Sequence, residues 1–248
     1  MPTYPARVIT LRNYRIRDSE AICHFYSEER GKIEATARGI GKPGSKLTPA
    51  TELFTLSRCL FADGRNLDHL TQCEVEEAFY SLRLDMRRMG CAAFIVELVD
   101  KTTEMGEEGL AIFELLEMTL RILCDADDPY IVTWAFQAQY MALIGLGAQV
   151  DACVACGEMD AQTLVAFSPG LGGTLCRDCA GEDEHRVISP ATRQSFSALR
   201  RLGPEGASRL KLDPRVSREL AWLIGEHRDF HIDANIRSAK FLAQMSGR

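Results

Sequence analysis

Four of the nine cysteines stand in two C-x2-C pairs, Cys153-Val154-Ala155-Cys156 and Cys176-Arg177-Asp178-Cys179, with nineteen residues between them. That spacing matches a tetrahedral site of four thiolates around zinc. A C-x2-C turn directs two sulfurs to one side, and two such turns close a tetrahedron. Every ligand position is a cysteine, so no place is left for a reacting water, and one structural zinc ion is expected. Gly157, Gly170, Gly172 and Gly173 permit tight turns but supply little core. Residues 151–182 are therefore expected to be a small four-cysteine zinc module held by metal binding, worth on the order of 10–16 kcal/mol, rather than by burial. Two rival readings are chance cysteines and a redox pair, for which a second pair would be superfluous. Cys23, Cys59, Cys73, Cys91 and Cys124 are scattered singly. With an odd total, they argue against a secreted disulfide framework and for a reducing compartment.

A second set of residues could grip an anion. Arg12, Tyr14 and Arg15 lie on a first strand, Arg30 and Lys32 bracket the second turn, and Arg38, Lys42 and Lys46 line a Gly/Pro loop. Cations with an aromatic among them suit single-stranded nucleic acid, with phosphates on Lys/Arg and a base stacked on Tyr14. Glycines let backbone amides approach phosphate. The bland alternative is an ordinary solvated barrel surface. The net charge of −6 seems to oppose a polyanion, but it averages unlike segments. Residues 1–72 carry eleven basic and eight acidic side chains, residues 73–150 carry five and fourteen, and the chain from 183 onward is basic again. The acidic middle reads as a solvated face.

Other patterns fail on context. Gly39-Ile40-Gly41-Lys42-Pro43-Gly44 satisfies G-x-G-x-x-G, yet Ser45-Lys46-Leu47-Thr48-Pro49 follows where a phosphate-binding helix must start. A Walker A reading fails because the order is Ser-Lys. His227 and His231 lack the glutamate of a metalloprotease helix and read as a surface or capping pair. No G-x-S-x-G and no paired carboxylates stand out, so no catalytic residues are assigned and a non-enzyme is expected.

The elements that must position these groups change character along the chain. Strand patterns fall at Ala6–Ile16, Ala21–Ser27, Lys32–Ile40, Thr51–Phe61 and Leu67–Val75, with turns at Glu28–Gly31 and Asp63–Asn66. Five short strands with a loop after the third suit a closed OB-type barrel, an SH3-like barrel being the rival. From Glu76 the apolar period becomes helical, with long runs at Leu110–Leu123 and Tyr130–Leu146. The uncharged stretch between Asp128 and Asp151 is long enough to cross a bilayer, but Thr133, Gln137, Gln139 and Gln149 make it a buried core helix instead. Ser189-Pro190 opens a further helix to about Leu202, and Arg215–His227 and Ala234–Met245 finish the chain. The fold class expected is α+β: a five-stranded OB-type barrel over 1–78, a helical domain over 79–150 and 183–248, and the zinc module of 151–182 inserted in it. The N-terminal residues open no apolar signal segment, so a cytoplasmic location is expected.

In that order of parts the sequence resembles the bacterial recombination mediator family RecO. Val8–Tyr14 followed by Glu20–Tyr26 is similar to the family's opening. Ala37-Arg38-Gly39-Ile40-Gly41-Lys42-Pro43-Gly44-Ser45-Lys46-Leu47 resembles its A-R-G-x-x-K/R-x-x-S-K loop, with Gly41 where a basic residue is common. The four cysteines match the zinc module of many members, and Asn235–Leu242 is similar to the final helix. The resemblance spans nearly the whole chain. It implies a protein that binds single- and double-stranded DNA and anneals complementary strands. It further implies work with RecR and RecF to load RecA on DNA coated by single-strand-binding protein, whose acidic C-terminal tail the helical domain recognises. A nucleoid-associated protein with no membrane contact follows. The alternative is a protein-interaction scaffold whose barrel is structural only and whose acidic helices dock a partner.

Overall fold

Alternation of apolar and polar residues makes the first strands two-faced, and the inward face closes on itself. In a computed structural model, which describes residues 2–106, 109–181 and 185–245, five strands form a closed barrel in the order β1-β2-β3-β5-β4. They are β1 (Thr3–Arg17), β2 (Glu20–Ser27), β3 (Gly31–Arg38), β4 (Leu56–Ala62) and β5 (Asp68–Glu77). β1 pairs antiparallel with both β2 and β4, while β3 meets β5 in a short parallel ladder that closes the cylinder. This is the OB connection and not the SH3-like one. The barrel is filled by alternate side chains: Tyr4, Ala6 and Val8; Ala21, Cys23 and Phe25; Ile33, Ala35 and Ala37; Cys59, Phe61 and Leu70.

The fourth strand begins later than its alternation predicts. Pro49 starts a 3-10 turn over Pro49–Thr51, and Phe54 adopts a left-handed φ of 71°. Phe54 N then donates to the Thr10 carbonyl at 2.9 Å, and Thr10 N to the Thr55 carbonyl at 3.0 Å, beside a bulge in β1.

The chain divides into two compact units, residues 1–125 with 236–242 and residues 126–235 with 243–248. The first adds to the barrel α1 (Met86–Thr102) and α2 (Leu110–Leu123), and most of the last helix, α6 (Arg237–Met245). Asp85 caps α1, its carboxylate accepting from Arg87 N at 2.8 Å and Arg88 N at 3.2 Å. The final helix starts at Arg237, three residues after the expected Ala234. There Glu97 accepts from Arg237 N at 3.1 Å and Ser238 N at 2.8 Å, so a carboxylate on α1 serves as the cap.

The second unit holds α3 (Pro129–Leu143), α4 (Pro190–Ala207), α5 (Pro214–His231) and a small sheet ordered β7-β6-β8. α3 is buried nearly all round and has 15 residues, and among the described residues no helix is long and apolar enough to cross a membrane. Ser189 caps α4, accepting from Thr192 N at 3.2 Å, with Pro190 in the first turn. α4 does not stop at Leu202: it breaks at Gly203, φ 64°, and resumes to Ala207. A Cβ on Gly203 would lie 2.8 Å from the Gln139 amide, which itself donates to the Arg200 carbonyl at 3.0 Å. Gly203→Ala is therefore expected to cost about 1–2 kcal/mol from the left-handed backbone, before any shift of Gln139. Urea unfolding checks this; an unchanged midpoint would contradict it.

Of the histidine pair, His227 is not at the surface, while His231 is half-buried in the last turn of α5. His227 is buried, with Nε2 2.7 Å from the Leu146 carbonyl, and His231 Nε2 is 3.0 Å from the Pro169 carbonyl. Both rings tie loops of the second unit to α5. Burial holds the His227 pKa below its ordinary value, which keeps the ring neutral.

Candidate nucleic-acid interface and metal centre

The two cysteine turns converge although nineteen residues separate them. The strands β6 (Leu164–Ser168) and β7 (Gly173–Cys176) are antiparallel, with Leu164 opposite Cys176, and β8 (Arg186–Val187) adds a third edge. Their alternation is too short to stand out in the sequence. They bury Leu164, Ala166 and Leu175 with Cys153 and Cys176, a core of five residues. Gly157, at φ 79°, turns the chain after the first pair, and its N–H donates to the Cys153 carbonyl at 2.9 Å. In the second turn Ala180 N donates to the Cys176 carbonyl at 2.9 Å.

All four Sγ atoms lie within 4.8 Å of one another, and Cys156 and Cys176 approach to 3.7 Å. A tetrahedral ion with bonds of about 2.3 Å to sulfur sets its ligands about 3.8 Å apart, so the cage already has the dimension of such a site. The sulfurs have unlike proton affinities. Burial pushes the Cys153 thiol up, but backbone N–H groups of Cys176, Cys156 and Ala155 outweigh it and bring the pKa down to about 6. Cys179 is pushed up to about 12 by hydrogen bonding with the Cys176 and Cys156 sulfurs. Four adjacent thiolates need a cation between them, and the donor set fits a soft, tetrahedral divalent ion.

The cations of the barrel separate into two groups. β1 pairs with β4 only over Thr3–Ile9, whereas its ladder with β2 runs to Arg17, so the second half of β1 extends past β4. There Arg15 stands opposite Ala21, Arg17 opposite Glu20, and Glu20 opposite Arg38. Arg38 ends β3 and feeds the loop with Lys42 and Lys46. The loop is pinned by Gly39 N to the Ser19 carbonyl at 2.7 Å and Gly41 N to Thr48 Oγ1 at 3.1 Å. Gly41 has φ 76°, and a Cβ there would meet the Asp18 carbonyl at 3.1 Å and the Arg15 guanidinium at 3.9 Å. Arg15, Arg38, Lys42 and Lys46 thus gather at one end of the barrel, joined by Arg17, which the sequence reading missed. The register around the Arg17–Glu20 turn was the signal that could have found it.

Arg38 is exposed and donates to Glu20 at 3.0 Å. Among the described residues no ion pair is found for Arg15, Arg17, Lys42 or Lys46.

The remaining candidates have other occupations. Arg30 and Lys32 flank the β2–β3 turn, and Lys32 is roughly 20 Å along β3 from Arg38 at about 3.3 Å per residue. The Arg30 guanidinium lies 3.7 Å above the Tyr4 ring. Lys32 is largely buried, its Nζ 3.0 Å from the Asp100 carboxylate and 2.6 Å from the Asp100 carbonyl. His24 Nδ1 is 2.6 Å from the same carboxylate, and Arg12 approaches it at 3.8 Å. Asp100, on α1, is only 4% exposed. Burial alone would push its carboxyl up, yet hydrogen bonds from His24 and Lys32 leave it below the usual range. Arg12 also covers Tyr14 at 5.4 Å, and Tyr14 is 42% exposed.

The acidic middle is likewise not a simple solvated face. Glu117 on α2 takes both ends of the Arg7 guanidinium, at 2.7 and 2.8 Å. Glu76 takes Arg7 Nε at 2.9 Å, and also Arg58. Carboxylates of β5, α1 and α2 thus consume several barrel cations and leave the Arg15–Lys46 end positive.

A closed OB barrel, appended helices and a cluster of four cysteines spaced to hold a metal define a modular class of protein. Family models for the N-terminal part of recombination protein O match residues 1–79, and for its C-terminal part residues 83–240. The chain belongs to the RecO family. It is 30% identical to the DNA repair protein RecO of Moorella thermoacetica over 98% of this chain and 92% of that one. It is 32% identical to that of Pelotomaculum thermopropionicum over 98% and 94%, and 31% identical to that of Desulforudis audaxviator over 99% and 98%.

Proposed function

We propose that this protein is a DNA repair and recombination mediator whose barrel binds the phosphate backbone of single- and double-stranded DNA and anneals complementary strands. The observation that carries the reading is the gathering of Arg15, Arg17, Arg38, Lys42 and Lys46 at one barrel end, four of them without an ion pair among the described residues. The half-exposed Tyr14 on the same extended hairpin supplies a stacking face. Arg12 and Lys32 support the barrel through Asp100, and Arg30 takes at most a peripheral contact. Annealing makes and breaks no covalent bond, so it needs only cations and a stacking surface. Family membership supports partnership with RecR and RecF, recognition of the tail of single-strand-binding protein, and delivery of DNA to RecA. The cysteine cage holds one zinc ion with an architectural role.

The test is the salt dependence of oligonucleotide binding. Each phosphate neutralised on a single strand contributes about −0.7 to the slope of log affinity against log salt. The doubly substituted Lys42→Glu/Lys46→Glu protein should lose about 1.4 or more from that slope and bind at least tenfold more weakly. A flat salt response in the native protein, or unchanged binding in the variant, favours the scaffold reading instead.

A further inference from the structure

A cavity of about 670 Å³ in the second unit lies between α5 and the β6–β7 turn. Trp222, Glu226, Asp229 and Phe230 line it from α5, with Leu171 from the turn and His185. Spacings of three and four put all four α5 residues on one helix face, so a carboxylate stands one turn from each of two aromatic rings. Phe230 is 62% exposed and Leu171 half exposed, and the two lie side by side on the cavity wall, where adjacent exposed apolar groups mark a contact surface more than a single one does. Gly170 gives the turn its close approach, since a Cβ there would lie 3.3 Å from the Phe230 ring.

The polar groups decide the occupant. Asp229 is paired with Arg228 at 2.7 Å, while Glu226 is exposed and has no ion pair among the described residues. The Arg186 guanidinium already lies 4.9 Å from the Trp222 centroid, so this wall accepts a planar cation on an aromatic face. Phe230 offers a second face, beside the unpaired Glu226. With Asp229 taken by Arg228 and the Trp222 ring by Arg186, the remaining open side is Glu226 beside Phe230, where an entering cation would meet a carboxylate and a ring together and an entering acidic group would meet a like charge.

We propose that this cavity receives an arginine or lysine side chain from a basic segment of a partner protein. The aliphatic stem packs on Leu171 and Phe230, and the charged head reaches Glu226. This site is separate from the barrel cations and does not depend on the DNA reading.

The test uses the full-length, metal-loaded protein and a hexa-arginine peptide, followed by Trp222 emission and by calorimetry. Saturable binding with a change in emission is expected. Glu226→Gln and Phe230→Ala should each weaken it about tenfold. Glu205→Gln, on an exposed residue of α4 outside the cavity, should leave it unchanged, as should Lys42→Glu. Failure to saturate overturns the proposal. So does equal weakening by Glu226→Gln and Glu205→Gln, which would mean attraction to net charge alone. A dT12 oligonucleotide that changes Trp222 emission in the native protein but not in Phe230→Ala would make the occupant a nucleic acid, and the proposal would be wrong.

Discussion

Stripping the metal with a strong thiol-competitive chelator unfolds residues 153–180 and loosens the face of α5 packed on them. The module's own core is small: Leu164, Ala166 and Leu175 with two of the cysteines, Val154 and Val165 partly buried against them, while the buried Phe167 of β6 packs on Trp222 of α5. A core of that size is a weak anchor for some thirty residues, and the ion, with an apparent binding free energy of about 10–16 kcal/mol, is the largest single stabilising contribution to the module. The sulfurs add a second reason. Without a cation between them, hydrogen bonding with the Cys176 and Cys156 sulfurs pushes Cys179 up to about 12, which keeps it a thiol at neutral pH. Trp222 reports the change, because its ring meets Phe167 of β6 edge-on at 6.4 Å. Chelation should alter Trp222 emission and remove amide protection from the sheet, and Cys153→Ser should do the same in metal-containing buffer. Barrel amides should keep their protection. Full protection of the sheet after the metal is gone would show that the module stands on burial alone. The result would also remove the argument for an architectural ion.

The parts of the fold that could be read from the sequence are those whose physics is local. The C-x2-C turns are set by a few residues each, so the cage was evident although its β strands, five and four residues long and glycine-flanked, were not. β3 was legible because one of its faces is buried, which writes a period of two into Lys32–Ile40, whereas β2, buried continuously over residues 23–27, was legible from its run of β-prone apolar residues. The start of β4 was misread because Pro49 and the left-handed Phe54 take the chain through a turn before the ladder resumes at Leu56. Which cations are free was not legible at all. Arg7 meets Glu117 across 110 positions and Lys32 meets Asp100 across 68, distances over which one-dimensional charge counts carry no pairing information. Lys32 looked like a DNA contact for the same reason that Lys42 did. Only the packing of α1 on the barrel separates the two.

That packing makes Asp100, a buried carboxylate shared by His24 and Lys32, a sensitive position in the first unit. Asp100→Ala should lower stability by about 3 kcal/mol, because the largely buried Lys32 ammonium loses its nearer carboxylate and keeps Glu34 at 3.8 Å. Asp100→Asn keeps the shape and removes only the charge, so it should fall between native and Ala. Adding Lys32→Met to the Asn variant should recover part of the loss, since an apolar side chain of similar length can replace a buried ion pair at little cost. Acid behaviour supplies the independent check. The folded-state pKa of Asp100 is depressed, so its contribution is complete above the unfolded carboxyl value of about 4 and is lost as pH falls through the lower folded value. Glu76, Glu97 and Glu117 are depressed as well and weaken the native fold in the same direction. The native-minus-Asn difference in stability isolates Asp100: it should shrink on acidification below about pH 4 and vanish once the native carboxyl is protonated. A difference that stays constant across that range would mean that the charge of Asp100 does no stabilising.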